Sequence, residues 1–309
     1  MEQQKTTTAL TPAQQNIVTF KSKVNGSYVQ DQLKQVLKEN SGTFVTSLME
    51  VYTNDKQLQT CDPNKVIQEA IKAASLKLPL NKQLGYAYLL TFNNWDKSTR
   101  TKVPTPTLVI GYKGYIQLAM RTGMYRSINS GFLTEGQYAG CNLLTGDIKF
   151  NESAPESNSI EGFFAYFELT NGFRKMLYTP IRKMAKFALE KSPSFRYKPT
   201  PDNPLPTVDE LVDMANRQLE TGETGQVGWK GDFISMGEKT VLRHLLSKYG
   251  YLSIEMQNAL SEEAKAEDFT TAEEIREADN AAPKQVFTQV IQDAQAEEIP
   301  ANDPGDAPI

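Results

Sequence analysis

The segment from Leu108 to Arg126, LVIGYKGYIQLAMRTGMYR, constrains the fold more than any other part of this chain. It opens with an aliphatic run that is typical of a buried strand. Gly111 and Gly114 then bracket a tight turn in which the backbone can approach a ligand closely. A helical pattern follows, and Gly123 predicts its end. A strand, a glycine turn and a helix are therefore expected in immediate succession.

One face of this predicted helix carries a basic stripe, because Lys113, Gln117 and Arg121 recur every four residues. Tyr112 and Tyr115 flank the stripe. Cations interleaved with flat rings suit a single strand of nucleic acid, since its phosphates need counter-charges and its bases need platforms. An ordinary amphipathic helix with a solvated basic face is the alternative for this segment alone.

Charge is divided unevenly along the chain, although the net charge is only −4. Residues 259–309 hold 13 acidic and 3 basic side chains, a net charge of −10, which leaves +6 for residues 1–258. A basic body with an acidic tail is typical of an interaction tail, or of a tail that competes with a polyanion for a groove. A solubilising disordered end is the alternative.

Two further stretches concentrate basic residues. The window 97–134 contains no acidic residue, whereas ordinary composition predicts roughly four. The window 171–198 contains eight Lys or Arg against the single acid Glu190, with aromatic residues interleaved. These stretches favour a nucleic-acid-binding surface over the solvated-face alternative.

The order of predicted elements favours an α+β fold. Residues 1–22 lack hydrophobic periodicity and are predicted to be flexible. Helical patterns follow, and Asp62-Pro63 is a strong helix start. Short strands, one pair of them joined by Asn171-Gly172, then predict an antiparallel sheet, not a βαβ array. We expect one core over 23–258, with a Pro-rich insertion at 199–228 lying away from the chemistry, and a mostly disordered tail at 259–309.

Several classes of protein are not supported by the sequence. There is no GxxxxGK[ST] motif, no nucleophile elbow, one histidine, and two isolated cysteines. No apolar run approaches the ~20 residues of a membrane helix, so we expect a cytoplasmic protein without a membrane partner. A binding protein is therefore expected rather than an enzyme.

Several segments together resemble the RecT family of phage single-strand annealing proteins. They include Asp62-Pro63-Asn-Lys-Val66, Leu84-Gly85-Tyr86-Ala87-Tyr88 and, above all, residues 108–123. Tyr166-Phe-Glu-Leu-Thr-Asn-Gly-Phe173 and the segment from Lys239 to Gly250 extend the match. The resemblance spans roughly 44–190 and 229–258, and the Pro-rich segment is its main departure.

This resemblance implies ATP-independent binding of single-stranded DNA and annealing of complementary strands in phage-type recombination. It implies a homo-oligomer, as a ring or a filament, and an annealed duplex intermediate. The implied core is a curved antiparallel β-sheet with packed helices, flanked by N-terminal helices and the acidic tail. A RecE-type phage exonuclease and the host single-strand-binding protein are expected to dock on the tail. No cofactor is expected to be required, and Mg²⁺ is a candidate modulator of DNA binding.

The family motifs carry site residues onto this sequence, in a narrow positive groove that leaves base edges free. Phosphate contacts are expected from Lys113, Arg121, Lys239 and Arg243. The other candidates for nucleic-acid binding are Tyr112, Tyr115, Gln117, Arg126, Lys248, Lys102, Arg174 and Lys175. Of these, Arg174 and Lys175 could equally line a subunit interface.

Two other functions remain open at this point. The same basic surfaces would suit an RNA-binding or DNA-packaging structural protein. A nuclease whose carboxylates do not form a familiar motif is the second alternative.

Overall fold

Four helices in the N-terminal third share one apolar interior. The computed structural model describes residues 11–96, 100–142, 144–195, 197, 199–225 and 228–266. Helices α1 to α4 span Pro12–Val24, Ser27–Leu37, Ser41–Asn54 and Pro63–Ser75. Phe20 of α1 stacks on Tyr52 of α3 with 3.8 Å between ring centroids, and both side chains are buried. Aromatic pairs remove large apolar areas from water, so this contact ties α1 to the bundle.

Helix α1 corrects the prediction that residues 1–22 are flexible. Thr11 forms a reciprocal capping box with Gln14, and Pro12 occupies the first helical position. Phe20 and Val24 are fully buried. The sequence does not predict this helix, because its apolar residues are too few to show a helical period. Residues 1–10 lie outside the described residues.

A long antiparallel hairpin follows the helical bundle. Strand β1 (Ala87–Asp96) pairs with β2 (Thr101–Ile110) over ten consecutive positions. The polar residues 93–96, which resemble a turn in the sequence, therefore continue β1. Arg100, the residue before β2, has a φ of +52°. Lys102 lies in β2, opposite Trp95.

The outer edge of β2 is protected against pairing with another strand. Pro104 and Pro106 lack N–H groups, and the N–H of Leu108, further along the same strand, donates to Oε2 of Glu69 on α4 at 2.9 Å. Prolines are tolerated on an edge strand because no partner strand needs their N–H groups. Glu69 of α4 therefore occupies the edge of β2 at Leu108. Nearer the start of β2, the two prolines present no N–H groups with which another strand could pair.

The rest of the described chain builds a three-stranded antiparallel sheet and its covering helices. The sheet has the order β3-β6-β7, and β4 pairs with β5 in a separate hairpin. The remaining elements are α5 (Tyr112–Arg121), β3 (Tyr125–Thr134), β4 (Tyr138–Cys141), β5 (Ile148–Phe150), β6 (Ile160–Leu169), β7 (Arg174–Pro180), α6 (Ile181–Lys191), α7 (Val208–Thr221), α8 (Phe233–Tyr249) and α9 (Ile254–Ala266). The prediction of an α+β fold with antiparallel strands is confirmed. The strands form one three-stranded sheet and two separate two-stranded hairpins, β1–β2 and β4–β5.

Helix α8 lies against the central strand β6 with almost no space between them. A Cβ on Gly237 would come within 2.5 Å of the ring of Phe163, which is fully buried. Val241, Leu242, Leu245 and Leu246 continue the buried face of α8. The glycine therefore sets the distance between this helix and the sheet.

The Pro-rich segment is built into the core, which corrects the prediction of a detached insertion. Leu211 and Ala215 of α7 are buried. Oδ1 of Asn216 accepts the N–H of Ile160 at 2.8 Å, at the start of β6. The segment thus closes one end of the sheet.

The predicted core boundary at residue 258 is also corrected. Helix α9 continues to Ala266, and Met256 and Ala259 are buried. The predicted tail from residue 267 onward lies outside the described residues. Within the described part of the chain, no helix combines the length and apolarity needed to cross a membrane.

Replacing Gly237 by Ala should lower the free energy of unfolding by about 1–3 kcal/mol, because the added methyl group overlaps the ring of Phe163. Urea denaturation measures this change. Gly42→Ala on α3 is the matched control, since nothing lies within 4 Å of its Cβ position, and its stability should stay equal or rise slightly. Equal stability of both variants would contradict the close packing of α8 on β6.

Candidate nucleic-acid interface

The first turn of α5 packs tightly against the chain segment that precedes β1. The N–H of Gly111 donates to the carbonyl of Tyr86 at 2.9 Å. A Cβ on Gly111 would lie 2.1 Å from the carbonyl oxygen of Gly85, and one on Gly114 would lie 2.2 Å from that of Tyr86. The prediction that these glycines let the backbone approach a ligand is therefore corrected, because the chain itself occupies that space.

This packing leaves a groove, of about 260 Å³, between the first turn of α5 and the first turns of α8. Three lysines line it, Lys82, Lys113 and Lys239, and we call it the lysine groove. Tyr88 and Tyr112, both partly buried, also line it. The structure thus brings together three of the predicted residues, Tyr112, Lys113 and Lys239, from two distant parts of the sequence.

The three lysines differ in how they are held. Lys82 forms an ion pair with Asp55 at 2.8 Å on the bundle side of the groove. Lys239 is only 6% exposed, so almost its whole side chain is enclosed by the protein, as that of Arg243 is. Lys113 is exposed, and no carboxylate of the described residues lies within ion-pairing distance of it. Lys113 is therefore the lysine best placed to meet an external anion.

Two carboxylates also line the groove, and neither was predicted from the sequence. Asp232 caps α8 by accepting the N–H of Ser235 at 3.1 Å, and it accepts Nε2 of Gln218 at 2.7 Å. Burial raises the pKa of Glu238 to about 7, and the negative charge of Asp232 adds to that rise. These acids lie far from the acid-free window in sequence, so only the folded chain reveals them beside its lysines.

Arg121 lies at the other end of α5 and does not line the lysine groove. Its Nη1 donates to the carbonyl of Leu76 at 2.7 Å, and its Nη2 donates to that of Lys77 at 2.8 Å. These carbonyls belong to the end of α4, where Lys77 has a φ of +52°. The guanidinium therefore satisfies carbonyl groups that a helix end leaves without a partner.

Two other predicted contacts are buried in the core. Tyr115 is fully buried, so its ring offers no face to a base. Arg243 is 7% exposed, on the part of α8 enclosed by the sheet and neighbouring helices. Both predictions are corrected, because neither the position of Tyr115 beside the stripe nor the family motif that carries Arg243 states whether a side chain meets water. Gln117 is partly exposed on α5 but does not line the groove.

The remaining predicted residues are not brought to the groove. Arg126, Arg174, Lys175 and Lys248 lie at the end of the three-stranded sheet and of α8. Arg126 pairs there with Glu168 at 3.1 Å, and Nζ of Lys175 lies 5.2 Å from the ring centroid of Tyr249. Lys102 is exposed on β2.

Two other kinds of site were compared with the lysine groove as the candidate nucleic-acid interface: a metal site and a second cavity. Among the described residues, no group of three or more His, Cys, Asp or Glu side chains is placed to hold a metal ion. A larger cavity of about 660 Å³ lies between α2, α3 and the segment after α4, and of the predicted residues Arg121 lines it. The convergence of predicted residues therefore favours the lysine groove.

Arg121→Ala should lower the free energy of unfolding by about 1–3 kcal/mol, because the carbonyls of Leu76 and Lys77 lose their donors. Urea denaturation measures this loss. Met120→Ala is the neighbouring control, since that side chain is 60% exposed, and its effect should stay within about 0.5 kcal/mol. An Arg121→Ala variant with unchanged stability would contradict the capping role.

Comparison with known proteins agrees with the resemblance read from the sequence. The chain is 35% identical over 252 residues to uncharacterized protein YqaK of Bacillus subtilis (strain 168), covering 82% of this chain and 74% of that protein. It is 25% identical over 213 residues to Protein RecT of Escherichia coli (strain K12), covering 67% of this chain and 65% of that protein. The RecT family model matches residues 42–280, which include every residue of the lysine groove. The chain belongs to the RecT family.

Proposed function

We propose that this chain binds single-stranded DNA without ATP and anneals complementary strands during phage-type homologous recombination. Membership of the RecT family supports single-strand annealing in recombination, binding of single-stranded DNA and oligomerisation. The observation that carries the assignment to a site is the position of Lys113. It is exposed at the start of α5, in a groove that also contains Lys82 and Lys239.

The start of α5 supports phosphate binding because Lys113 adds a full positive charge at the positive end of the helix dipole. A lysine is a point charge that contacts phosphates without reading sequence. Annealing needs this kind of contact, because the base edges must stay free to pair with an incoming strand.

The aromatic rings of the groove support a single strand in preference to a duplex. Tyr88 and Tyr112 stand beside the lysines in a space of about 260 Å³. Unstacked bases gain about 1–3 kcal/mol each by stacking on such rings, whereas the bases of a duplex are already stacked. The groove therefore suits DNA before it has paired.

The further parts of the proposal concern the surroundings of the protein. We place it in the cytoplasm of a bacterial host, as a homo-oligomeric ring or filament on DNA. We expect a RecE-type exonuclease and the host single-strand-binding protein to dock on the acidic tail. Mg²⁺ would modulate DNA binding by screening Asp232 and Glu238 rather than as a required cofactor.

The proposal is tested by measuring how fast complementary labelled oligonucleotides pair in the presence of the full-length protein and without ATP. We expect pairing to proceed faster than in the protein-free control. Coating of both strands without faster pairing would favour a packaging protein instead. Cleavage of either strand in the presence of magnesium would favour the nuclease alternative.

Lys113→Ala should weaken binding of single-stranded DNA and reduce the slope of log affinity against log salt by about 0.7, because one phosphate contact is lost. A salt titration with a labelled oligonucleotide measures both. Lys34→Ala, an exposed lysine on α2 that does not line the groove, should change neither. An unchanged slope for Lys113→Ala would remove this lysine from the binding site.

Binding of DNA should weaken between pH 6 and pH 8 more in the native protein than in Glu238→Gln. Glu238 has a pKa near 7, so over this range it gains a negative charge that faces Lys82, Lys113, Lys239 and Asp232. The glutamine variant stays neutral and should lose most of this dependence.

The same titration should leave Glu220→Gln indistinguishable from the native protein, because Glu220 is exposed on α7 and does not line the groove. Identical pH profiles for Glu238→Gln and the native protein would show that DNA does not sense this carboxylate.

A further inference from the structure

An exposed group of aromatic rings lies at the end of α8, outside the lysine groove. Tyr249 and Tyr251 are 43% and 49% exposed, and Phe173, at the turn between β6 and β7, is 46% exposed. Large exposed rings are uncommon on a surface that only meets water, and a cluster of them marks a binding surface. We call these three residues the aromatic platform.

Contacts with the sheet hold the ring of Phe173 and the backbone of Tyr251 in place. Phe173 lies 6.0 Å from the buried ring of Phe167, which lies 5.5 Å from the ring of Tyr125. The hydroxyl of Tyr125 donates to the carbonyl of Tyr251 at 2.9 Å. The backbone that carries Tyr251 is therefore held against the sheet.

Cations surround the platform. Nζ of Lys175 lies 5.2 Å from the ring centroid of Tyr249, and Lys248 is exposed next to that tyrosine in the chain. Arg126 and Arg174 are exposed at the same end of the sheet, where Glu168 is the paired carboxylate of Arg126. The surroundings are thus basic, which complements a phosphate chain.

We infer that the aromatic platform binds single-stranded DNA by stacking bases on Tyr249 and Tyr251, while Lys175 and Lys248 meet the adjacent phosphates. It is separate from the lysine groove, because none of these residues lines that groove. The inference rests on the proposed function, since it gives each subunit a second contact with DNA. A second copy of this chain is the alternative occupant, because aromatic residues and arginine are enriched at protein interfaces, and the oligomer mass of the variants below tests it.

The test compares the full-length protein with the Tyr249→Ala/Tyr251→Ala double variant and with Tyr249→Phe/Tyr251→Phe. The alanine pair should bind a single-stranded oligonucleotide about tenfold more weakly, because base stacking is lost. The phenylalanine pair should bind like the native protein. The salt slope should stay unchanged, in contrast to Lys113→Ala, because the rings contact no phosphate.

An abasic oligonucleotide separates stacking from a structural effect. The alanine pair and the native protein should bind this sugar–phosphate chain equally. Tyr28→Ala, a tyrosine on α2 that is 73% exposed, is the control and should bind both oligonucleotides normally. Equal weakening on both oligonucleotides, unchanged affinity, or a changed oligomer mass with unchanged affinity would each overturn the inference.

Failure of the aromatic platform can be distinguished from failure of the proposed annealing function. Annealing by the native protein tests the function, whereas the difference between native and variant affinities tests the platform. A native protein that anneals, with variants that bind normally, would reject the platform alone. A native protein that binds but does not anneal would reject the function and still allow the platform to be measured.

Discussion

The close approach of α5 to the segment before β1 is the constraint on which the lysine groove depends. Gly111 and Gly114 permit it, since a Cβ at either residue would lie within 2.2 Å of a carbonyl oxygen. The contact holds Lys113 at the mouth of a groove whose opposite wall is α8. That wall is fixed in turn by Gly237 against Phe163, so three glycines determine the width of the site.

The sequence predicted the parts of the site that depend on local pattern. The strand and the helix after Leu108 follow one another as expected, although the helix begins at Tyr112 and so includes the predicted glycine turn. The pairing of Lys113 with Lys239 across a groove came from the family resemblance rather than from spacing. Local pattern could not supply it, because 126 positions of chain separate the two residues and only tertiary packing joins them.

The predicted binding residues that proved to be buried or bonded within the protein share one physical cause. A four-residue period identifies residues on one helical face but does not say whether that face meets water. Tyr115 and Arg243 lie on faces that other elements cover, and Arg121 bonds to carbonyls of α4. Glu238 was not predicted for a different reason. Basic patches along the sequence do not reveal an acidic residue that folding places beside their lysines.

Ultraviolet crosslinking of bound single-stranded DNA to the full-length protein, followed by peptide mapping, tests the location of the site most directly. The account predicts crosslinks in the peptides that contain Tyr88 and Tyr112, two residues that line the lysine groove. Crosslinked protein in which both of these peptides remain unmodified would contradict the account.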